Sequence, residues 1–178
     1  VLDFLESHDN LSSVQVNGKD SDYEAVLEHL IIPPEELMVG PNNLQIEFFS
    51  GDGSLNRNPD FLYTLFVPDR ARSAFPLFDQ PNLKATYDLT LILPTDWDAV
   101  SNARLLDTED LGKNKKLHFA TSELISSYLF SFVAGKFERV TRNVGGREIS
   151  MLHRESDREK VSRNLDSIFE LHASSLDW

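Results

Sequence analysis

Five histidines, His8, His29, His118, His153 and His172, are the side chains best suited to hold a metal or move a proton near neutral pH. A helical zinc hydrolase site needs two of them one turn apart, as H-E-x-x-H, so that both imidazoles ligate and the Glu activates water. None of the five begins that pattern, and His153-Arg154-Glu155 has the wrong spacing. Cysteine is absent, which removes disulfides, thiolate zinc sites and Cys nucleophiles together. The chain also lacks G-x-S-x-G, a Walker loop and G-x-G-x-x-G. Gly51-Asp52-Gly53 near Asp60 lacks the spacing of a calcium loop and reads as a turn. Asn10-Leu11-Ser12 fits the glycosylation tripeptide, a pattern common by chance. These residues predict no catalysis and no metal or cofactor site in the chain.

The bulk properties exclude further classes. The chain has 178 residues, 17 Lys and Arg, 29 Asp and Glu, and a formal net charge of −12. A phosphate backbone is gripped by Lys and Arg, so nucleic acid is not an expected partner. No apolar run approaches the roughly 18 to 20 residues that span a bilayer. A soluble domain is expected, with no compartment assigned. The opening Val1-Leu2-Asp3-Phe4 carries neither Met nor a basic segment, so it is no secretory leader and reads as a piece of a longer protein. Charge is uneven: nine basic against 21 acidic residues in 1–135, eight against five in 136–163, none against three in 164–178.

The elements that must position any functional group are mostly strands. Val14 and Val16 alternate with polar neighbours before the turn former Asn17-Gly18. Leu44, Ile46 and Phe48 recur at period two, as do Tyr87, Leu89, Leu91 and Leu93 up to Pro94. Tyr23–Leu30 reads as a short helical turn or a strand pair. Ser127–Val133 predicts a strand apolar on both faces. Arg139-Val140 and Ile149–Leu152 flank Asn143-Val144-Gly145-Gly146 as a hairpin. Ser156-Asp157-Arg158-Glu159 fits a capping box with Ser156 as cap. Val161, Leu165, Ile168, Phe169, His172 and Leu176 then form one helical face, on which His172 is expected to pack into the core. The fold class is all-β, mostly antiparallel, with one C-terminal helix. The expected boundary lies near His153 to Ser156, dividing 1–153 from 154–178.

One stretch is more specific. Thr64-Leu65-Phe66-Val67-Pro68, then Ala71-Arg72-Ser73-Ala74-Phe75-Pro76-Leu77-Phe78-Asp79-Gln80-Pro81, resembles T-Q-F-E-P-x-x-A-R-x-A-F-P-C-F-D-E-P of the aminopeptidase N-like zinc peptidases. The resemblance continues through Ala99-Val100-Ser101-Asn102, like A-x-S-N, and Ser126–Glu138, like S-x-Y-L-x-A-F-V-x-G-x-F-E. It covers roughly residues 1–153 and implies the saddle- or sandwich-like N-terminal β domain of that family, with some first strands missing. Residues 154–178 resemble the first helix of the catalytic domain. The segment's own residue types suggest that Arg72 and Asp79 form an ion pair pinning a buried loop, stiffened by Pro76 and Pro81.

What the resemblance implies for function follows. The parent would be a zinc metallo-aminopeptidase, its zinc and H-E-x-x-H helix beyond Trp178. This domain would wall the cleft, bind no zinc, and dock on its own catalytic domain, which receives the peptide substrate. The family's Gln and Glu of T-Q-F-E-P receive the substrate's amino end. Those positions are Leu65 and Val67 here, and neither pairs with an ammonium. Either the amine is held elsewhere, specificity has changed, or activity is lost; the plain alternative is that the two are ordinary strand residues. The rival functional reading is a scaffold or interaction domain of an inactive member. A third is an independent sandwich binding carbohydrate or protein.

Overall fold

The computed structural model describes residues 1–176, and the last two residues of the 154–178 segment, Asp177 and Trp178, lie outside the described residues. The chain divides into two compact units, Val1–Thr95 with Ala99–Ala134, and Asp96–Asp98 with Gly135–Trp178.

The first unit is built from short antiparallel ladders. β1 (Leu2–Asp3), β4 (Glu24–Val26) and β5 (His29–Ile31) form a sheet of order β1-β5-β4. The Tyr23–Leu30 segment is therefore a strand pair. β2 (Leu11–Val16), β3 (Lys19–Asp20) and β6 (Leu44–Phe48) form a second, ordered β3-β2-β6. Asn17 and Gly18 join β2 to β3 with φ of 52° and 80°, the left-handed pair that a two-residue hairpin requires. β7 (Leu55–Asn58), β8 (Phe61–Thr64), β10 (Asp98–Ser101) and β13 (Phe132–Gly135) give the order β10-β13-β8-β7. β9 (Thr90–Pro94), β11 (Leu105–Asp110) and β12 (Asn114–Phe119) give β11-β12-β9. The strand predicted from Tyr87 thus begins as a ladder only at Thr90. Tyr87 and Leu89 still keep the alternation, and their carbonyls accept the N–H groups of Ser122 and Phe119 at 2.9 Å each.

Two apolar clusters result. The first gathers Leu2, Phe4, Leu11, Val14, Leu30 and Ile32. The second gathers Leu55, Phe66, Ala71, Ala74 and Phe130. Phe130 is its hub: Tyr87 stacks on it with ring centres 4.2 Å apart, and Phe75 meets it edge-on at 6.0 Å.

The 127–133 stretch is not the predicted two-faced strand. Ser127–Leu129 is a 3-10 turn, closed by N–H bonds from Leu129 to Ser126 and from Phe130 to Ser127, and β13 starts only at Phe132. Ser126 and Ser127 spend their hydroxyls on Pro81 and Asp79, which tertiary demand bends the chain, and Leu129 faces solvent.

The second unit is a hairpin and a helix. β14 (Glu138–Val144) pairs with β15 (Arg147–His153) through Gly145-Gly146, both at positive φ. α1 (Arg158–Leu176) starts one residue later than the capping-box reading. Asp157 is the cap: its Oδ1 accepts the Lys160 N–H at 3.0 Å. Glu155 stands outside, accepting the Asp157 N–H and pairing with Lys160, and that Lys160 hydrogen bond first, then the backbone N–H, lowers its carboxyl pKa. On the predicted apolar face only Phe169 is buried. His172, Ile168 and Leu176 are exposed, so His172 is no core residue. Arg142 of β14 lies over the Phe169 ring at 5.3 Å and pairs with Asp166.

Replacing the cap should separate the two readings of the helix start. Asp157→Ala is expected to cost about 1 kcal/mol, and Ser156→Ala within about 0.5 kcal/mol, by urea denaturation followed in the far ultraviolet. Equal losses would contradict the Asp157 cap.

Candidate functional site

The Thr64–Pro81 segment is positioned by buried polar groups more than by ladders. β8 ends at Thr64, whose hydroxyl accepts the Phe132 N–H at 3.1 Å. Leu65 then donates its N–H to Ser54 at 2.8 Å, and the chain leaves the sheet. Phe66 turns inward and is 2% exposed, while Leu65 and Val67 are 52% and 54% exposed. The peptide bond between Val67 and Pro68 is cis. A 3-10 turn at Ala71–Ser73 follows, its Ala71 fully buried.

Asp79 is the anchor. It is 7% exposed. One carboxylate oxygen accepts the Arg72 backbone N–H at 3.1 Å, and the other accepts the Ser127 hydroxyl at 2.6 Å. Arg72 and Asp79 are therefore brought together through main chain, not as an ion pair. The Arg72 guanidinium turns to Glu28 at 3.7 Å and Asp69 at 3.8 Å, both half-exposed or more. The reason is geometric: the turn aims its N–H groups inward, which satisfies a carboxylate without burying a second charge.

Asp3 carries the other half. Its Oδ2 accepts the Asp79 N–H at 2.9 Å and the Gln80 side-chain amide at 2.8 Å, and His29 Nδ1 lies 3.2 Å from its Oδ1. The backbones of Asp3 and Leu77 exchange N–H bonds at 2.7 and 3.1 Å. The Pro81 carbonyl accepts the Ser126 hydroxyl at 2.6 Å. Asn102 locks the neighbouring motif, accepting the Ser131 N–H at 2.7 Å and donating to the Leu129 carbonyl at 3.0 Å. Sequence reasoning missed Asp3, Ser126 and Ser127. The one signal for Asp3 was a lone carboxylate inside the apolar run Val1–Leu5.

Burial, and after it the negative charge of Asp79, hold the Tyr87 phenol above its usual pKa. Among the described residues no group of three or more His, Asp or Glu is placed to hold a metal ion. The described residues therefore offer no ligand set for the zinc that the resemblance implies. Among the described residues no helix is long and apolar enough to cross a membrane.

Short antiparallel sheets with one C-terminal helix make up the fold. Residues 5–129 match the peptidase M1 N-terminal domain, and the chain belongs to that family. The puromycin-sensitive aminopeptidase of Caenorhabditis elegans is 36% identical over 119 residues, 65% of this chain and 12% of the worm protein. Glutamyl aminopeptidase of Rattus norvegicus is 41% identical over 76 residues, 42% of this chain and 8% of the rat protein. This chain therefore spans a small part of either relative's length. Two solved structures share the fold. Legionella pneumophila aminopeptidase A in complex with aspartic acid has a TM-score of 0.70 at 24% identity, over 85% of this chain and 19% of that one. The M1 zinc metallopeptidase from Deinococcus radiodurans has 0.65 at 20%, over 84% and 37%.

Two predictions follow from the anchors. Asp79→Ala, which strands the Arg72 N–H and the Ser127 hydroxyl, should cost roughly 2 to 4 kcal/mol. Arg72→Ala should cost under about 1 kcal/mol, since its ion pairs are exposed. Chemical denaturation reads both; the reverse order would restore the ion pair. For Tyr87, a folded-state pKa raised above the unfolded value of 10.0 gives stability that is full below that pH. It is lost as pH rises through the raised value. Tyr87→Phe should therefore flatten the fall in stability above about pH 10, and an unchanged alkaline slope would contradict this.

Proposed function

We propose that this chain is the non-catalytic N-terminal β domain of a zinc aminopeptidase that removes amino-terminal residues from peptides. Residues 1–153 form that domain and 154–178 begin the catalytic domain. The observation that carries the reading is the family match over residues 5–129, joined to a pinned loop that leaves Leu65 and Val67 open. In the parent, the loop forms a wall of the cleft, and Leu65 and Val67 face the substrate's amino end. They offer two aliphatic side chains there and no acceptor for the ammonium. They favour an apolar first side chain, while the amine is held by residues outside this chain. Zinc would be held by residues of the catalytic domain and would supply the Lewis acid for the scissile carbonyl. Exposed Phe78 and Leu83 on the same loop support docking against that domain.

The second reading, a scaffold in an inactive member, is favoured by the same Leu65 and Val67. Zinc analysis of the full-length protein with turnover of aminoacyl anilides separates them: about one zinc per chain and chelator-sensitive turnover support the peptidase, and neither supports the scaffold. Leu65→Gln with Val67→Glu should change relative kcat/KM across a panel of amino-terminal residues by about tenfold, equivalent to about 1.4 kcal/mol of transition-state binding. Unchanged selectivity would remove Leu65 and Val67 from the substrate site.

A further inference from the structure

Leu65 and Val67 have a neighbour that is distant in sequence. Thr64 accepts the Phe132 N–H at 3.1 Å, and Phe66 stacks on Phe130 with ring centres 6.2 Å apart. Two residues forward on one segment thus match two residues back on the other. The segments run antiparallel, and the same register sets Leu65 beside Ser131 and Val67 beside Leu129. Burial alternates in step on both. Phe66 and Phe130 are drawn inward, where Phe75 meets both rings edge-on at 5.7 and 6.0 Å. The residues flanking each phenylalanine therefore turn to the opposite side. Leu129 is accordingly 49% exposed, as open as Leu65 and Val67. The three side chains form one apolar surface built by two segments.

Leu129 is exposed on a clamped backbone. The Asn102 side chain donates to its carbonyl at 3.0 Å and accepts the Ser131 N–H at 2.7 Å. The Ser101 hydroxyl donates to the Ser131 carbonyl at 3.0 Å. On the other side the Leu129 N–H donates to the Ser126 carbonyl at 3.0 Å, and Ser127 is tied to Asp79. The Leu129 side chain takes part in none of these bonds. Its main chain is held from both directions while the side chain stands open in a fixed place next to Val67.

We propose that Leu129 is a specificity-determining residue of the parent peptidase, completing with Leu65 and Val67 a contact surface for a bulky apolar amino-terminal side chain of the peptide. The inference rests on the peptidase reading and deepens it by naming the substrate class. Leu65 and Val67 alone offer a narrow contact that a methyl side chain fills. A third aliphatic group beside Val67 widens it, and each further methylene buried there favours leucine or phenylalanine over alanine. A carboxylate or ammonium on the same substrate position gains no partner from these three side chains and loses water.

The test uses the full-length parent protein and anilides of alanine, leucine, phenylalanine and arginine. Leu129→Ala should lower kcat/KM for the leucine and phenylalanine anilides by about tenfold relative to the alanine one. Leu129→Glu should raise arginine relative to leucine by about tenfold. Relative kcat/KM is the readout, because a residue that only supports the fold, or only docks the catalytic domain, scales all four substrates together. If Leu129→Glu fails to fold, Leu129→Ala decides. Proportional loss across the panel from the Leu129 variants, with selectivity still altered by Leu65→Gln and Val67→Glu, would overturn the role of Leu129 and leave the peptidase reading standing. Unchanged selectivity in both sets, with turnover intact, would remove the whole surface from the substrate site. A parent protein without turnover would overturn the peptidase reading and this inference together.

Discussion

Two carboxylates shut away from bulk water organise the first unit. Asp3 and Asp79 must each find N–H and O–H donors, since a buried acceptor left unpaired costs about 1 to 3 kcal/mol. The donors come from distant parts of the chain: the Arg72 and Asp79 N–H groups, the Gln80 amide and the Ser127 hydroxyl. Satisfying both acids therefore fixes the amino-terminal strand, the 71–81 loop and the serine turn against one another. Sheets of three or four short strands are stable only where one face is buried. Their alignment here depends on these polar anchors as well as on apolar burial.

The exposure of Leu65 and Val67 is a consequence of that arrangement. Thr64 spends its hydroxyl on Phe132, which ends the useful ladder of β8. Phe66 is drawn inward against Phe75 and Phe130. With Phe66 inward, period two sends the residues on either side outward. The loop that follows is tied at Arg72, whose backbone N–H donates to Asp79. The two exposed side chains are aliphatic and present apolar surface without charge.

Much of this was legible in the residues. Period two at Leu44–Phe48 and Tyr87–Leu93 identified inward-facing side chains, and Asn17-Gly18 and Gly145-Gly146 marked hairpins because only such residues take left-handed backbone cheaply. The motif at Thr64–Pro81 identified the family. What was not legible depended on partners distant in sequence. Ser127–Leu129 has strand-like composition but bends because Asp79 and Pro81 claim the serine hydroxyls. Arg72 and Asp79 have the charges of an ion pair, yet the turn offers an N–H nearer and cheaper than a guanidinium. Ser156 and Asp157 are both good caps, and only the start of the helix chooses between them.

The change of charge near residue 136 has a structural counterpart that motif boundaries do not show. The resemblance ends the β domain after the β14–β15 hairpin, at 153, whereas the compact second unit gathers that hairpin with the helix. Residues 136–163 are net basic and 164–178 net acidic. Within the unit these opposite signs meet: Arg142 of β14 pairs with Asp166 and covers the Phe169 ring. An isolated two-stranded hairpin is marginal in water and gains stability by packing against a helix. Phe169 supplies the buried apolar contact on the helix, and Arg142 supplies both a cation over its ring and a charge for Asp166. Arg142 of the hairpin and Asp166 of the helix are thus one complementary pair within this unit.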